Sequence, residues 1–433
     1  MSFRFLIIAA CACLALSSTL AAAREQKFII PPIDFVKAAM QSGNYKAARI
    51  VLNELLKANP HAVQPNFYMG LLEQRDGNLK EAVERFRTVL EDNPGLTRVR
   101  LDLAVTLFQL KDDRSAEFHF QQLLAADVPD QVRQDIERFL AAIRSRKRYD
   151  INLQFSIAPD TNINSGSGVR EVNLFGLPFR TEDTDAESGI GVVLTAGGEY
   201  RYPINNQWRL RNQAVLFRRD YSDDDFDDMT FWAAVGPQLL TPDWDVSLLG
   251  VGTRRWYGNE KYNYGKGVRT EASYTGLQRW RIDTSLDFLK LNYDDFDFRD
   301  SNIAAITVIP SYYVSTTSRL SPILGYSHED ARSNVYSNNG LRIGLGIFQE
   351  FPYGISLYVQ PEYFDFQYEE QDAAFGSTRN DRTKRLLLSI YRRNWTIFGL
   401  SPVFSYIYTD NNSNQKIYSY QRHQFQIGFT AQF

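Results

Sequence analysis

Hydrophobic and polar residues alternate along the chain from Tyr149 onward. Every second residue from Phe425 to Phe433 is apolar, and a similar alternation runs through 280–288 and 355–360. A period of two gives a β-strand one apolar face and one polar face. The pattern therefore predicts an antiparallel sheet of many strands over residues 149–433.

Three features favour a transmembrane β-barrel over a soluble sandwich, which would also alternate. The polar face is strongly charged, and aromatic residues collect at the strand ends, as a lipid-facing girdle requires. All six tryptophans and all but two of the 24 tyrosines lie from Tyr149 onward. The chain also ends in Phe433, on the apolar face, which resembles the terminal signal read by the barrel-assembly machinery.

The third feature is the length of the connections, which alternates along the chain. Short turns are predicted near 203–206, 241–243, 277–279, 315–317, 351–353 and 393–394. Longer polar loops are predicted near 159–187, 222–228, 258–265, 294–300, 329–338, 369–380 and 409–418. Outer-membrane barrels have short periplasmic turns and longer outside loops. These connections separate about 14 strands, an even number that returns both ends of the barrel to the periplasm.

A period of 34 residues dominates the preceding stretch, which we predict to be a periplasmic domain over residues 24–148. Gly43-Asn44 recurs as Gly77-Asn78, and Asn59-Pro60 as Asn93-Pro94; Ala48, Ala82 and Ala116 share one phase, and Phe86 and Phe120 another. The pattern resembles the tetratricopeptide repeat, an α-solenoid of helix pairs that bury their apolar faces by stacking. We predict three units, of which the last is degenerate because Lys111 stands where glycine is expected.

Arrays of this kind usually bind a peptide or protein on their concave face. By phase, that face holds Gln64, Phe67, Leu71, Gln74, Arg98, Leu101, Val105 and Phe108. Core packing is the favoured interpretation for Leu71, Leu101 and Val105. For Phe67, Gln74, Arg98 and Phe108, core packing and cargo binding both stay open, and these four are the candidate cargo-binding residues.

A further helix is predicted from Asp130 to about Arg148, and it ends in a basic run, 144–148. Basic residues suit a helix C-terminus, and this explanation is sufficient. The alternative is contact with anionic headgroups at the periplasmic rim of the barrel.

The first residues have the pattern of a cleaved export signal, Met1–Ala23. Arg4 supplies the positive charge, an apolar region runs over 5–16, and three alanines precede Arg24. The alternative is a lipoprotein signal cleaved before Cys11, but its apolar region would have about five residues, shorter than the usual range. Both cysteines, Cys11 and Cys13, lie in this signal, so the mature chain would have no disulfide and no thiol chemistry.

Composition argues against an enzyme and against nucleic acid as a partner. The net charge is −3 without a long basic tract, the four histidines are scattered, and no hydrolase, zinc or phosphate-loop motif is present. We predict no metal and no cofactor. His328 beside Glu329 admits an acid–base role, and the acidic runs 223–228 and 294–297 admit calcium or bridged lipopolysaccharide. Solvated outer loops are the favoured interpretation for both.

Repeats that precede a barrel of about 14 strands resemble the surface lipoprotein assembly modulator (Slam) family, the translocators of type XI secretion. The sharpest match is Ser156–Asn164, which is similar to the family's Ala-Pro-Asp-Ser-Asn-Ile-Asn segment and contains Pro159, Asp160, Asn162 and Asn164. A structural explanation stands beside it, because Pro-Asp and Asn residues suit a turn that leaves a strand.

The resemblance implies an outer-membrane translocator that moves specific lipoproteins or secreted proteins from the periplasm to the cell surface. Its partners would be the protein cargo, periplasmic chaperones, the barrel-assembly machinery and outer-membrane lipid with lipopolysaccharide. The alternatives are an exopolysaccharide exporter, which usually carries more repeats, a solute channel, and a surface protein whose outer loops contact a host.

Overall fold

A computed structural model describes residues 31–181, 184–392 and 400–430. The predicted signal peptide Met1–Ala23, the turn near 393–394 and the terminal Phe433 lie outside the described residues. Within them, seven α-helices are followed by a closed barrel of fourteen antiparallel strands, which confirms the predicted fold class. No described helix is long and apolar enough to cross a bilayer.

The helices form a stacked array, here called the helical array. They are α1 (Pro32–Gln41), α2 (Tyr45–Ala58), α3 (Val63–Asp76), α4 (Leu79–Asp92), α5 (Thr97–Gln109), α6 (Asp113–Leu123) and α7 (Asp130–Arg146). Asn44 and Asp112 cap α2 and α6, since each side chain accepts a backbone N–H three residues on. Gly77 ends α3 in the left-handed conformation, with φ +85°. Lys111 takes the same conformation at the equivalent point, with φ +64°.

The repeat phase read from the sequence determines how the helices pack. Ala48, Ala82 and Ala116 are fully buried where helices cross, and so are Phe86 and Phe120. A Cβ on Gly70 would lie 2.6 Å from the Phe86 ring, so this position requires glycine. Leu71, Leu101 and Val105 pack against the same core, which confirms the structural interpretation of these three.

The strands are β1 (Tyr149–Asp160), β2 (Glu171–Leu174), β3 (Leu177–Arg180), β4 (Gly189–Pro203), β5 (Trp208–Asp220), β6 (Asp228–Leu240), β7 (Trp244–Tyr257), β8 (Glu260–Tyr274), β9 (Trp280–Tyr293), β10 (Ser301–Ser315), β11 (Ser318–Ala331), β12 (Asn338–Glu350), β13 (Ile355–Asp372), β14 (Ser377–Arg392), β15 (Ser401–Ser413) and β16 (Tyr420–Thr430). β2 and β3 form a separate hairpin within the first loop. The other fourteen each pair with the next strand in sequence, and β1 closes the barrel by pairing with β16.

The two faces of the barrel wall follow the alternation in the sequence. On β1, Ile151, Leu153, Phe155 and Ile157 are exposed on the outside, whereas the residues between them face the lumen. Trp208, Trp244 and Trp280 each open a strand at the rim where β1 begins. Trp244 packs on Tyr274, and Trp280 on Tyr312, with ring centroids 4.5 and 4.8 Å apart. This arrangement is an apolar belt with an aromatic girdle at one rim.

β1 begins and the described part of β16 ends at the same rim, here called the helical rim because α7 leads into it. At the opposite rim the loops predicted at 159–187, 222–228 and 294–300 agree with the structure, whereas the other four are too long. The loop predicted at 258–265 is wrong, since only Gly258 and Asn259 form the turn, both with positive φ, and β8 begins at Glu260. Strands continue past the lipid belt because backbone pairing does not need an apolar face, so alternation ends before the strand does.

Candidate functional site

A cavity of about 970 Å³ fills the lumen just inside the helical rim, and we call it the vestibule. α6 closes its helical side with Arg114, Glu117, Phe118 and Gln121. Lys147, just after α7, and residues of twelve barrel strands supply the rest of the lining. The strand residues are mixed in charge: Asp150, Glu199, Glu271, Arg269, Arg281 and Arg319. The vestibule is therefore a polar chamber between a repeat helix and the barrel wall.

Two contacts place α6 against the wall. The Phe118 ring packs edge-on against Phe348, with centroids 6.1 Å apart. The Tyr313 hydroxyl donates to Gln121 Oε1 at 3.3 Å. Arg319 lies beside both barrel aromatics, 5.8 Å from the Tyr313 ring and 5.6 Å from the Phe348 ring. These contacts are weak individually, and ion pairs between the array and the barrel add to them.

Arg100 of α5 makes the most buried of these ion pairs. Its side chain is 1% exposed, and its Nη2 pairs with the carboxylate of Glu350 at the end of β12. The same nitrogen donates to the Pro94 carbonyl at 2.6 Å. The guanidinium therefore joins the array to the barrel, and loss of the Glu350 carboxylate would leave a buried charge undercompensated.

Arg114 and Lys147 attach the array to the first strand of the barrel. The Arg114 guanidinium binds the Asp150 carboxylate and also the carbonyl of Ile151. Lys147 reaches Asp150 from the other side at 2.7 Å. The carboxylate therefore joins α6, the end of α7 and β1 at one point.

The basic run at the end of α7 binds other parts of the protein. Arg144 Nη2 donates to the Pro242 carbonyl at 2.8 Å, and Arg209 Nη2 donates to the Ser145 carbonyl at 3.0 Å. Burial against the rim lowers the pKa of the Arg144 guanidinium, and the nearby carboxylate of Asp245 opposes this effect. Arg146 lies 3.9 Å over the Phe108 ring and pairs with Asp113. The run thus joins α7 to the barrel and to the array.

Ion pairs cross the lumen wall from strand to strand. Arg211 binds Glu199 at 2.9 Å and Glu271 at 2.6 Å, which joins β4, β5 and β8. Glu362 on β13 is bound by both Arg342 and Arg385. Such pairs leave a lumen that is charged but largely neutralised.

The four candidate cargo residues occupy different environments. Phe67 and Phe108 are half-buried; Phe67 packs between Tyr68 and Phe86, and Phe108 packs edge-on against Phe139. Gln74 Nε2 donates to Thr106 Oγ1 at 3.0 Å.

Arg98 is the most accessible of the four. Its side chain is 71% exposed, although it pairs with Asp102 at 2.9 Å. Burial raises the pKa of the Asp102 carboxyl, and Arg98 opposes that shift. All of these contacts are with other residues of the array, and none of the four residues lines the vestibule.

The residues of the family-like segment lie at the opposite rim, and they do not line the vestibule. Asp160 is buried and accepts from Arg422 Nη2 at 2.6 Å and from Gln424 Nε2 at 2.8 Å, both on β16. The Tyr221 hydroxyl donates to the same carboxylate at 2.8 Å. Pro159 precedes this cluster in β1. Asp160 therefore joins the first strand to the last.

The two asparagines of the segment fold the first loop. The buried Asn162 side chain donates to the carbonyls of Gly166 and Gln421, both at 3.0 Å. Asn164 donates to the Asp185 carbonyl at 2.8 Å and to Glu187 Oε1 at 3.1 Å. These contacts fit the structural explanation of the segment as a turn that leaves a strand.

The remaining candidates lie at the opposite rim. His328 Nδ1 is 3.1 Å from Asn339 Oδ1 and 3.7 Å from Glu369, and its side chain is 45% exposed. The carboxylates of Asp223, Asp224 and Asp225 lie within 4.8 Å of one another and are exposed. Asp294 pairs with Arg254 at 3.0 Å. His328 lies within β11 and not in a loop, because strand pairing continues beyond the point where alternation ends. Asp223–Asp225 and Asp294 lie between strands, which fits the favoured interpretation as outer-loop residues.

Sequence reasoning missed the residues of α6 that face the vestibule. Arg114, Glu117, Phe118 and Gln121 recur at helical spacing on one face, and that face is polar enough to predict solvent. Phe118 was the available signal, since a lone aromatic on a polar helix face often marks an interface.

Comparison with known proteins covers both parts of the chain. The family model "Surface lipoprotein assembly modifier" matches residues 149–433, and "Surface lipoprotein assembly modifier, N-terminal TPR repeats" matches residues 33–120. "Surface lipoprotein assembly modifier 1" of Neisseria meningitidis is 24% identical over 92% of this chain and 81% of that protein. The protein of the same name from Haemophilus influenzae is 24% identical over 91% and 83%. "Hemophilin secretion modulator" of Acinetobacter baumannii is 22% identical over 85% and 78%.

Proposed function

The chain belongs to the surface lipoprotein assembly modifier family and lies in the outer membrane, and from this premise we propose that it translocates specific lipoproteins or secreted proteins from the periplasm to the cell surface. The names of its relatives refer to surface lipoproteins and to hemophilin secretion. The helical array faces the periplasm in this proposal, and the barrel provides the passage.

The position of α6 over the vestibule carries the proposal. A passive pore has no need of a repeat array joined to its wall by the buried Arg100–Glu350 pair. The last repeat of the array lies over the lumen, so the binding of cargo to the repeats is coupled to the entry of cargo into the barrel. Cargo that binds the repeats therefore acts on the same helical array that covers the entrance to the barrel.

We propose that cargo binds the face formed by α3 and α5, where Phe67, Gln74, Arg98 and Phe108 lie. The accessible guanidinium of Arg98 and the half-buried rings of Phe67 and Phe108 offer a charge beside apolar surface. An extended, unfolded segment presents both kinds of group. Periplasmic chaperones deliver such a segment unfolded, and release of folded cargo outside supplies the driving force.

The barrel has its own partners in this proposal. The barrel-assembly machinery inserts it, and outer-membrane lipid contacts its apolar belt. Lipopolysaccharide contacts the same belt on the side of the outer rim. No nucleic acid, metal or cofactor takes part.

The test is surface exposure of a tagged lipoprotein encoded beside this chain's gene, in a host that lacks the system. External protease should digest the tag on intact cells only when the full chain is present. Arg98→Ala should reduce exposure because it removes the accessible cation of the cargo face. Arg138→Ala is the matched control, since Arg138 is also exposed and paired with an aspartate on its own helix.

Two results would contradict the proposal. If the chain inserts and the lipoprotein stays inside, the translocator assignment fails; sugar polymer on the surface, or faster uptake of small solutes, would then identify the exporter or channel alternative. If Arg98→Ala and Arg138→Ala behave alike, the cargo face lies elsewhere.

A further inference from the structure

β1 and β16 form the one pair of neighbouring barrel strands that no turn connects, and we call their junction the seam. β1 pairs with β4 along its whole length, Tyr149–Asp160. Within the described residues it pairs with β16 only at Gln154–Ile157 and again at Asp160. Opening the described part of the seam therefore breaks few backbone hydrogen bonds and stretches no loop.

Pro159 interrupts the seam between these two paired stretches. Thr161 donates its N–H to the His423 carbonyl of β16, and the Arg148 carbonyl accepts from Arg201 of β4. Odd-numbered residues of β1 therefore turn their backbone groups toward β16, and Pro159 has no N–H to give. Prolines also interrupt the pairing of β6–β7, β10–β11 and β12–β13, but a turn joins each of those pairs.

Side chains hold the seam at its outer end. The Asp160–Arg422 ion pair and the Gln424 hydrogen bond both cross from β1 to β16. His423 adds a backbone N–H bond to Thr161 Oγ1 at 2.9 Å. We call the Asp160–Arg422 pair the latch. A buried, charge-assisted pair is strong when both partners are in place, and separating them leaves a costly buried charge.

The helical array reaches the inner end of the same seam. The Ile151 carbonyl lies on the edge of β1 that faces β16, and the Arg114 guanidinium of α6 binds it. Movement of α6 away from the vestibule releases this edge. The two ends of the seam thus differ: the inner end depends on the array and the outer end on the latch.

An acylated cargo needs such a seam. Its polypeptide can pass through a charged lumen, but its acyl chains would have to leave the bilayer to follow. The lumen offers them Arg281, Asp283 and Glu271 in place of lipid. A path open along one side of the barrel lets the polypeptide cross inside while the acyl chains stay in the membrane.

Resting on the proposed function, we infer that the β1–β16 seam opens laterally to pass acylated cargo, with Arg114 of α6 releasing its inner end and the Asp160–Arg422 latch closing its outer end.

A reversible lock across the seam tests this inference. No residue after Cys13 is a cysteine, so Gln154→Cys with Thr430→Cys gives a single disulfide within the barrel. These residues are directly opposite each other, and Gln154 turns its backbone groups toward β4, so they form the closely spaced, non-hydrogen-bonded kind of pair that suits a disulfide. The matched control is Ser311→Cys with Ser321→Cys across β10–β11, where the hydroxyl oxygens lie 2.8 Å apart.

Two forms of the tagged lipoprotein are compared, one acylated and one exported without its acylated cysteine. We expect the oxidised seam lock to reduce surface exposure of the acylated form to that of cells lacking the protein. The unacylated form should still cross, reductant should restore the acylated form, and the β10–β11 lock should have no effect. Restoration by reductant excludes misfolding as the cause.

The other outcomes overturn the inference in distinguishable ways. If the locked protein exposes both forms, or blocks both forms equally, the seam is not the path of the acyl chains, although the translocator assignment stands. If the unlocked protein exposes neither form, the proposed function fails and the seam inference falls with it.

Discussion

Lys111 shows how a single residue keeps the repeat geometry at a conformational cost. It occupies the position at which Gly43 and Gly77 end the earlier helices, and it adopts the same positive φ. An L-residue in the left-handed region is strained, because Cβ crowds the following carbonyl oxygen. The stacking of α5 on α6 requires the turn at this point, so the fold imposes the conformation on a residue that disfavours it.

Lys111→Gly is expected to stabilise the helical array by about 0.5–1 kcal/mol, since relief of strain exceeds the entropy that glycine adds to the unfolded chain. Urea unfolding of the detergent-solubilised full chain, followed by helical circular dichroism, measures it. Glu84→Gly is the control of opposite sign: Glu84 is exposed in the interior of α4, where glycine costs about 1 kcal/mol. Destabilisation by Lys111→Gly would show that the contacts of the lysine side chain stabilise the array by more than the backbone strain costs.

At the scale of elements, helices α2 and α3 are joined by the carboxylate of Glu73. Glu73 of α3 is bound by Arg49 of α2 and accepts from Asn78 Nδ2 at 2.7 Å. Burial acts to raise the pKa of the Glu73 carboxyl, but the hydrogen bonds from Arg49 and Asn78 outweigh burial and lower it. The ionised form therefore stabilises the contact between these helices.

Glu73→Gln is expected to cost the array about 1.5–3 kcal/mol at neutral pH, the usual value of a hydrogen bond to a charged group. A lowered pKa in the folded state contributes stability above the unfolded pKa, and this contribution is lost as pH falls through the folded pKa. The difference between the wild type and Glu73→Gln should therefore shrink below about pH 4. Glu54→Gln is the control, because Glu54 is exposed and its pair with Lys57 contributes little. A difference that stays constant with pH would remove Glu73 ionisation as its source.

At the scale of the whole molecule, the array and the barrel act as one body at the helical rim. The ion pairs Arg100–Glu350 and Arg114–Asp150 join α5 and α6, respectively, to the barrel. The proposed translocation requires α6 to move, because α6 lies over the helical side of the chamber that cargo would enter. The interface is polar and therefore suits a contact that breaks and re-forms.

Joining α6 to the wall is expected to block export. Gln121→Cys with Tyr313→Cys places two thiols where the native side chains meet, and a short bismaleimide joins them. Surface exposure of the tagged lipoprotein should fall to background in treated cells because α6 can no longer leave the vestibule. Each single cysteine variant, treated in the same way, is the control. Undiminished export after complete cross-linking would mean that cargo enters without displacement of α6.

The predictable part of this protein followed from local, periodic signals. The 34-residue repeat determined the helix pairs, and Ala82 and Phe86 became core because their phase allows no other packing. Alternation determined the strands and the closed barrel of fourteen. The predicted loop at 258–265 was wrong because apolar–polar alternation marks only the part of a strand that faces lipid. Strand pairing continues beyond that part, and β8 begins at Glu260.

The sequence by itself determined the order of the domains, the class of each and the family-like segment at 156–164. Only the tertiary structure decided that α6 faces the lumen, that Arg100 meets Glu350 some 250 residues away, and that Asp160 joins β1 to Arg422 of β16. Periodicity records which face of an element is apolar, and that information is local. Which polar face meets which partner depends on how the chain closes on itself, and neither the spacing nor the composition of these residues contains it.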